Sequence, residues 1–93
     1  MRTIKYTTRF KRDYRRETSG RHGKKLDTLL MEAVNMLAAD TPLPRRYFDH
    51  PLAGEWQDYR DCHIRPDLVL IYGKPDDESL ELVRLGSHSE LGF

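Results

Sequence analysis

The strongest periodic signal in the chain is Leu26, Leu29, Leu30, Ala33, Val34 and Leu37, apolar positions recurring at i, i+3, i+4, i+7, i+8 and i+11. That spacing predicts an amphipathic helix with one face turned to a sheet. It ends before Asp40-Thr41-Pro42-Leu43-Pro44, because a residue ahead of proline is steered away from helical ψ. Leu68-Val69-Leu70-Ile71-Tyr72 is apolar at every position, as a strand covered on both faces is, and should form the centre of the sheet. Leu80 to Leu85 reads as a final strand, joined to it by a hairpin loop over Gly73 to Ser79. At the other end, alternation of Ile4 and Tyr6 with polar residues predicts a short first strand. Thr7 or Thr8 then caps a helix whose narrow apolar seam is Phe10 and Tyr14 and whose end is Thr18-Ser19-Gly20.

Between the second helix and the central strand lies a segment rich in reactive side chains. A loop from Pro42 through Glu55, carrying His50, leads into residues 56–64, read as extended. Alternation then places Tyr59, Asp61 and His63 on one face and Trp56, Arg60, Cys62 and Ile64 on the other. Arg65-Pro66-Asp67 is a turn signal that folds the chain back and leaves Asp67 near His63. The order is β-α-α-β-β-β: an α+β domain with two N-terminal helices packed on an antiparallel sheet.

At 93 residues the chain should form a single domain spanning 1–93, since so short a polypeptide buries only roughly 60–65% of its unfolded surface and cannot support two cores. No apolar run approaches the roughly 20 residues of a membrane span, and the start Met1-Arg2-Thr3-Ile4-Lys5 has no apolar signal-peptide core. A cytoplasmic location is therefore expected. The single cysteine, Cys62, excludes an internal disulfide. Charge changes the picture more than composition does. Residues 1–25 hold ten Lys/Arg against Asp13 and Glu17, a net +8, leaving −7 for the rest of a chain whose total is +1. Arg9, Lys11, Arg12, Arg15 and Arg16 occupy the polar circumference of the first helix, the footprint of a polyanion partner such as nucleic acid, or else a solvated helix face.

His50, His63 and His88 fall on a loop, near a strand end and just beyond the last strand, with Asp67 in the hairpin. Three imidazoles and a carboxylate suit general acid/base chemistry near neutral pH. They are also the materials of a zinc site, although the spacing matches no metal motif such as His-Glu-x-x-His, so no metal or cofactor is assigned. Arg60 has abundant local acids to pair with; Arg84, four residues before His88, is the better phosphate ligand. Trp56 reads as a core-edge residue.

Taken together, Asp49-His50-Pro51-Leu52, Gly54-x-Trp56, Tyr59-Arg60-Asp61-x-His63, Pro66-Asp67, Leu70-Ile71-Tyr72 and Arg84-x-Gly86-x-His88-Ser89-x-Leu91 resemble the YafQ branch of the RelE/ParE superfamily of bacterial toxins, over essentially the whole chain. The resemblance implies a microbial-RNase-like (RelE-like) fold and a toxin that cleaves mRNA in the ribosomal A site. It also implies partners: ribosomal RNA, mRNA and a cognate antitoxin of the RelB/DinJ-like class. It carries catalytic roles to His50, His63, His88 and Asp67. The chain departs from the family at its end, reading Leu91-Gly92-Phe93 where Leu-Phe-Gly is common, so Phe93 reaches the substrate only if Gly92 turns the backbone.

The expectation is a metal-independent endoribonuclease. In it His50, His63, Asp67 and His88 share proton transfer and positioning, Arg84 and Phe93 contact the substrate, and the basic first helix grips ribosomal RNA. The competing readings are a non-catalytic basic module that binds RNA or a partner protein, and a ParE-like gyrase-inhibiting toxin.

Overall fold

A computed structural model of the chain describes residues 1–20 and 23–92. In chain order the elements are β1 (Thr3–Tyr6), α1 (Thr8–Thr18), α2 (Leu26–Ala38), β2 (His50–Pro51), β3 (Arg60–Arg65), β4 (Leu68–Gly73), β5 (Ser79–Gly86) and α3 (His88–Leu91). Single 3-10 turns lie at Arg45–Tyr47 and Gly54–Trp56. Five strands form one sheet in the order β1-β5-β4-β3-β2, with the uniformly buried β4 at its centre.

Helices α1 and α2 cover one face. Leu26, Leu30, Ala33, Val34 and Leu37 are buried as their spacing requires, against Cys62, Ile64, Leu68, Leu70, Tyr72, Leu80, Leu82 and Leu85. The opposite face carries a smaller cluster, Val69, Ile71, Val83 and Leu91, flanked by Leu52, Trp56 and Tyr59. This second face holds His50, His63 and His88.

Three details differ from the sequence reading. The sheet is mixed, because β1 pairs with β5 in parallel. Parallel neighbours need a long crossover, which the chain between them supplies, and hydrophobic alternation carries no information on the direction of a distant partner. The segment expected to be extended from residue 56 becomes a strand only at Arg60. Gly54, at φ +65, starts a 3-10 turn, and the Tyr59 amide closes on the Trp56 carbonyl at 2.9 Å. Trp56 therefore packs edge-on against Tyr59, ring centroids 5.7 Å apart, beside the smaller cluster and not beside Cys62. Finally, the long loop contains the two-residue strand β2, where His50 lies opposite Asp61.

The first half of β5 is bonded to β1, but its second half would be an open edge. Helix α1 closes it. Thr7, the N-cap of α1, accepts from the Phe10 amide and donates its hydroxyl to the Val83 carbonyl at 2.8 Å. Asp13 Oδ2 accepts from the Leu85 amide at 3.0 Å, and Arg16 Nη2 donates to the Leu85 carbonyl at 2.9 Å. Two side chains thus stand in for the missing strand. Asp13 is 3% exposed and is paired with Arg84 Nε at 2.6 Å and Arg16 Nη1 at 3.0 Å. Burial alone would raise its carboxyl, but the hydrogen bonds from Arg84 and Leu85 and the two guanidinium charges outweigh it, and the group lies below the ordinary value.

Asp13→Asn keeps the shape and removes the charge, leaving two half-buried guanidinium groups without it. The expected cost is about 2–4 kcal/mol, read as a fall in Tm of roughly 10 °C or more. Because the folded carboxyl is depressed, its contribution is complete above the unfolded value near 3.9 and is lost as pH falls through the folded one. Urea melts at pH 7 and pH 3 should therefore differ less for the variant than for the parent; equal differences would show that Asp13 is not the acid-labile group.

Candidate active site

The register across the sheet aligns the reactive residues in two rows. Asp61 on β3 pairs with His50 on one side and Ile71 on the other, and Ile71 pairs with Arg84. His63 pairs with Val69, which pairs with Gly86, two residues before His88. Directly opposite residues on neighbouring strands project to the same face, so Asp61 and His63 stand over the smaller cluster while Cys62 and Ile64 enter the main core.

His88 reaches this face because the chain turns sharply after β5. Ser87 and Glu90 form a reciprocal capping box, the Ser87 amide donating to Glu90 Oε1 at 2.9 Å and the Glu90 amide to Ser87 Oγ at 3.2 Å. Glu90 Oε2 also meets Arg16 Nε at 3.0 Å, tying α3 to α1. The His88 ring then sits edge-on to His63, with centroids 5.1 Å apart.

His50 is held by its Nδ1, which donates to the Phe48 carbonyl at 2.8 Å and lies 2.9 Å from Asp61 Oδ1. A carbonyl can only accept, so Nδ1 carries the proton and a neutral His50 leaves Nε2 as an acceptor. The segment bearing His50 is anchored one residue earlier. Asp49 accepts from the buried Tyr72 hydroxyl at 2.5 Å and from Arg60 Nε at 3.2 Å. Arg60 is thus paired with a carboxylate, and burial and Asp49 push the Tyr72 phenol up.

Asp61 is the site residue that the sequence reading left out of its catalytic set. It is 3% exposed, and its Oδ1 has no well-formed hydrogen bond because the His50 N–H is directed at Phe48. Burial raises its carboxyl above the ordinary value, against the opposing charges of His50, His63 and His88. The signal was in the alternation, which puts Asp61 on the His63 face two positions away. Burial, the largest influence, lowers His63; Asp61 pulls the other way, and His88 and His50 push it further down.

The other candidates are dispersed around this cluster. Asp67 lies half-buried in the turn between β3 and β4, two residues before Val69. Arg84 gives Nε and Nη2 to Asp13, which fixes the guanidinium at the end of the Asp61 row. On α1, Arg9, Lys11, Arg12 and Arg15 are exposed, whereas Arg16 is engaged by Asp13, Glu17, Glu90 and the Leu85 carbonyl. Phe93 lies outside the described residues; Gly92 before it has φ +83, and its amide donates to the His88 carbonyl. Cys62 is fully buried, and desolvation pushes its thiol far up, so it is no nucleophile. Among the described residues, no group of three or more His, Cys, Asp or Glu side chains is arranged to hold a metal ion. The Nδ1 of His50 is already spent on a carbonyl.

The comparisons agree with one another. Residues 2–92 match the family model described as the bacterial toxin of type II toxin–antitoxin system, YafQ. The chain is 38% identical over 90 residues to the mRNA interferase toxin YafQ of Escherichia coli, covering 97% of this chain and 95% of that one. Among solved structures it is similar to the E. coli DinJ–YafQ complex, with a TM-score of 0.81 and 37% identity over 98% of both chains. It is also similar to a metal-bound toxin from Helicobacter pylori, with a TM-score of 0.87 and 44% identity over 98% of this chain and 99% of that one. With α1 and α2 on one face of a mixed sheet, His50, His63 and His88 on the other and this likeness along nearly its whole length, the chain belongs to the YafQ family of bacterial type II toxin–antitoxin toxins.

Proposed function

We propose that the chain is a ribosome-dependent mRNA endoribonuclease. It would cut mRNA in the A site by metal-independent general acid/base catalysis, arrest translation in the cytoplasm, and be held inactive by an antitoxin of the RelB/DinJ-like class. The observation that carries this reading is three imidazoles gathered around one buried carboxylate on an open sheet face, with His63 and His88 5.1 Å apart and His50 2.9 Å from Asp61. The E. coli relative's name, an mRNA interferase, and its complex with DinJ supply the substrate class and the partner.

Cleavage without a metal needs a base for the ribose 2′-OH, an acid for the departing 5′ oxygen, and positive charge at the phosphate. His88 and Asp67 form the proton-transfer pair, with His50 and His63 positioning the RNA and sharing proton transfer. Neutral His50 offers Nε2 to a proton, and the imidazolium so formed is stabilised by Asp61. His63, lowered by burial, is uncharged at neutral pH and able to accept. Arg84 faces the phosphate with Asp13 as its positioning partner; a guanidinium has five donors, and Asp13 engages Nε and Nη2. Phe93 completes the substrate contacts. The exposed side chains of α1 grip ribosomal RNA through phosphates.

Replacing His88 or Asp67 by Ala should lower A-site cleavage at least about 100-fold, with Tm and antitoxin binding little changed. Activity should survive chelation apart from the ribosome's own Mg²⁺ requirement. Parental rates in both variants would return the protein to the class of non-catalytic binding modules. Asp61→Asn removes the influence that raises His63, so the acid limb of the pH–rate profile should move to lower pH as the rate falls; an unmoved limb would show that His63 is not the group titrating.

The α1 surface gives a separate prediction. Changing Arg9, Lys11, Arg12 and Arg15 to Gln should weaken ribosome association and flatten its salt dependence, without moving the cut. Adding Arg16→Gln should lower Tm as well, since that side chain serves the fold. Unchanged ribosome affinity in the fourfold variant would assign the face to the antitoxin or to solvent.

A further inference from the structure

Phe48 is the most exposed aromatic side chain among the described residues. It is 64% exposed, and its backbone sits at φ 48, ψ 40, in the left-handed region that a bulky residue rarely occupies. The 3-10 turn Arg45–Tyr47 imposes this geometry, its end closed by the Phe48 amide donating to the Arg45 carbonyl at 3.0 Å. One consequence is that the Phe48 carbonyl meets His50 Nδ1. The other is that the ring is displayed beside the imidazoles, its centroid 5.6 Å from that of His63. Between this ring and the β3–β4 turn lies an open cavity of about 370 Å³ whose walls include Glu32, Arg46, Phe48, His63, Arg65 and Pro66, with Arg46 Nη2 paired to Glu32 Oε1 at 2.9 Å. An exposed aromatic face, two arginines and a reactive imidazole around one hollow form a nucleotide-shaped set of contacts.

We propose that this hollow is the subsite for an mRNA nucleotide flanking the scissile phosphate, with its base stacked on Phe48. The inference rests on the nuclease reading above. Stacking tolerates any base, because every base has a π-face, so the subsite holds the strand without selecting sequence. A base fixed here holds the adjoining phosphodiester over His63 and its neighbour His88. The place beside His63 favours a nucleotide over a protein segment as the occupant.

The test is single-turnover cleavage of ribosome-bound mRNA by Phe48→Ala, Phe48→Leu and Phe48→Trp, on intact message and on messages with one abasic nucleotide at successive A-site positions. Phe48→Ala and Phe48→Leu should each lose roughly tenfold or more, while Phe48→Trp stays within about threefold of the parent. At one position the abasic message should cost the parent the same factor and cost Phe48→Ala nothing further. Parental cleavage by Phe48→Ala, rescue by Leu, or additive losses with every abasic message would overturn the stacking role and leave the nuclease reading standing. Unchanged cleavage with weakened antitoxin inhibition would place Phe48 in the protein interface instead. A parent that leaves ribosome-bound mRNA intact would overturn the nuclease reading and this proposal with it.

Discussion

The buried carboxylate of Asp13 is the constraint on which the arrangement depends. Strand β1 is too short to cover β5 along its length, so the Leu85 amide and carbonyl would face an unfilled edge. Asp13 and Arg16, one turn apart on α1, satisfy both groups and thereby fix how the helix lies along the sheet. A charge so deeply buried is tolerable only while its partners are present, which couples α1, Arg84 and the end of β5 into one unit. The coupling extends to function through Arg16 and Glu90, since Glu90 also closes the turn that presents His88. Gly86 belongs to the same device: a Cβ there would lie 2.8 Å from Arg16 Nη2, so the strand must end without a side chain for the arginine to pass.

Each of the three histidines at the candidate site is supported differently. His50 depends on the loop anchored by Asp49 to Tyr72 and Arg60, His63 on the pairing of β3 with β4, and His88 on the capping box of α3. They meet because β2, β3, β4 and β5 are adjacent and their rows are in register, so alignment of the site follows from the order of the strands. Stability and chemistry are accordingly divided between two faces. Helices α1 and α2 and most of the apolar core lie on one, and the imidazoles of His50, His63 and His88 stand over a small cluster on the other.

Much of this was legible in the sequence. The spacing of Leu26 to Leu37 fixes a helix and its buried face, and the uninterrupted Leu68 to Tyr72 run identifies the central strand, because burial on one side or two leaves a direct mark on residue type. The capping threonine and the Pro66-Asp67 turn were readable for similar local reasons. What could not be read is what depends on distant partners. The parallel pairing of β1 with β5 leaves no trace in local pattern. The 3-10 turn at Gly54 interrupts a segment whose alternation looked continuous, and moves Trp56 to the other face. The pairing of Arg84 with Asp13 spans 71 positions and that of Arg16 with the Leu85 carbonyl 69, so a basic helix face and a strand arginine could be seen while their commitments to the fold could not.

Asp61 and Asp13, both buried, respond to their surroundings in opposite ways. A residue kept only for stability would be expected to gain from its surroundings, as Asp13 does, with its carboxyl held below the ordinary value. The carboxyl of Asp61 is displaced the other way, since burial outweighs the nearby imidazoles, which carry positive charge only when protonated, and Oδ1 lacks a well-formed hydrogen bond. For an acid, a raised folded value means that ionisation at neutral pH is resisted by the fold, and the charged form weakens it. The same feature suits a reaction in which a neighbouring imidazole becomes protonated. A proton taken up by His50 would set a positive charge beside the Asp61 carboxylate, Nδ1 lying 2.9 Å from Oδ1. The two aspartates of this small fold are thus moved in opposite directions by their surroundings, Asp13 by its guanidinium and amide partners and Asp61 by burial.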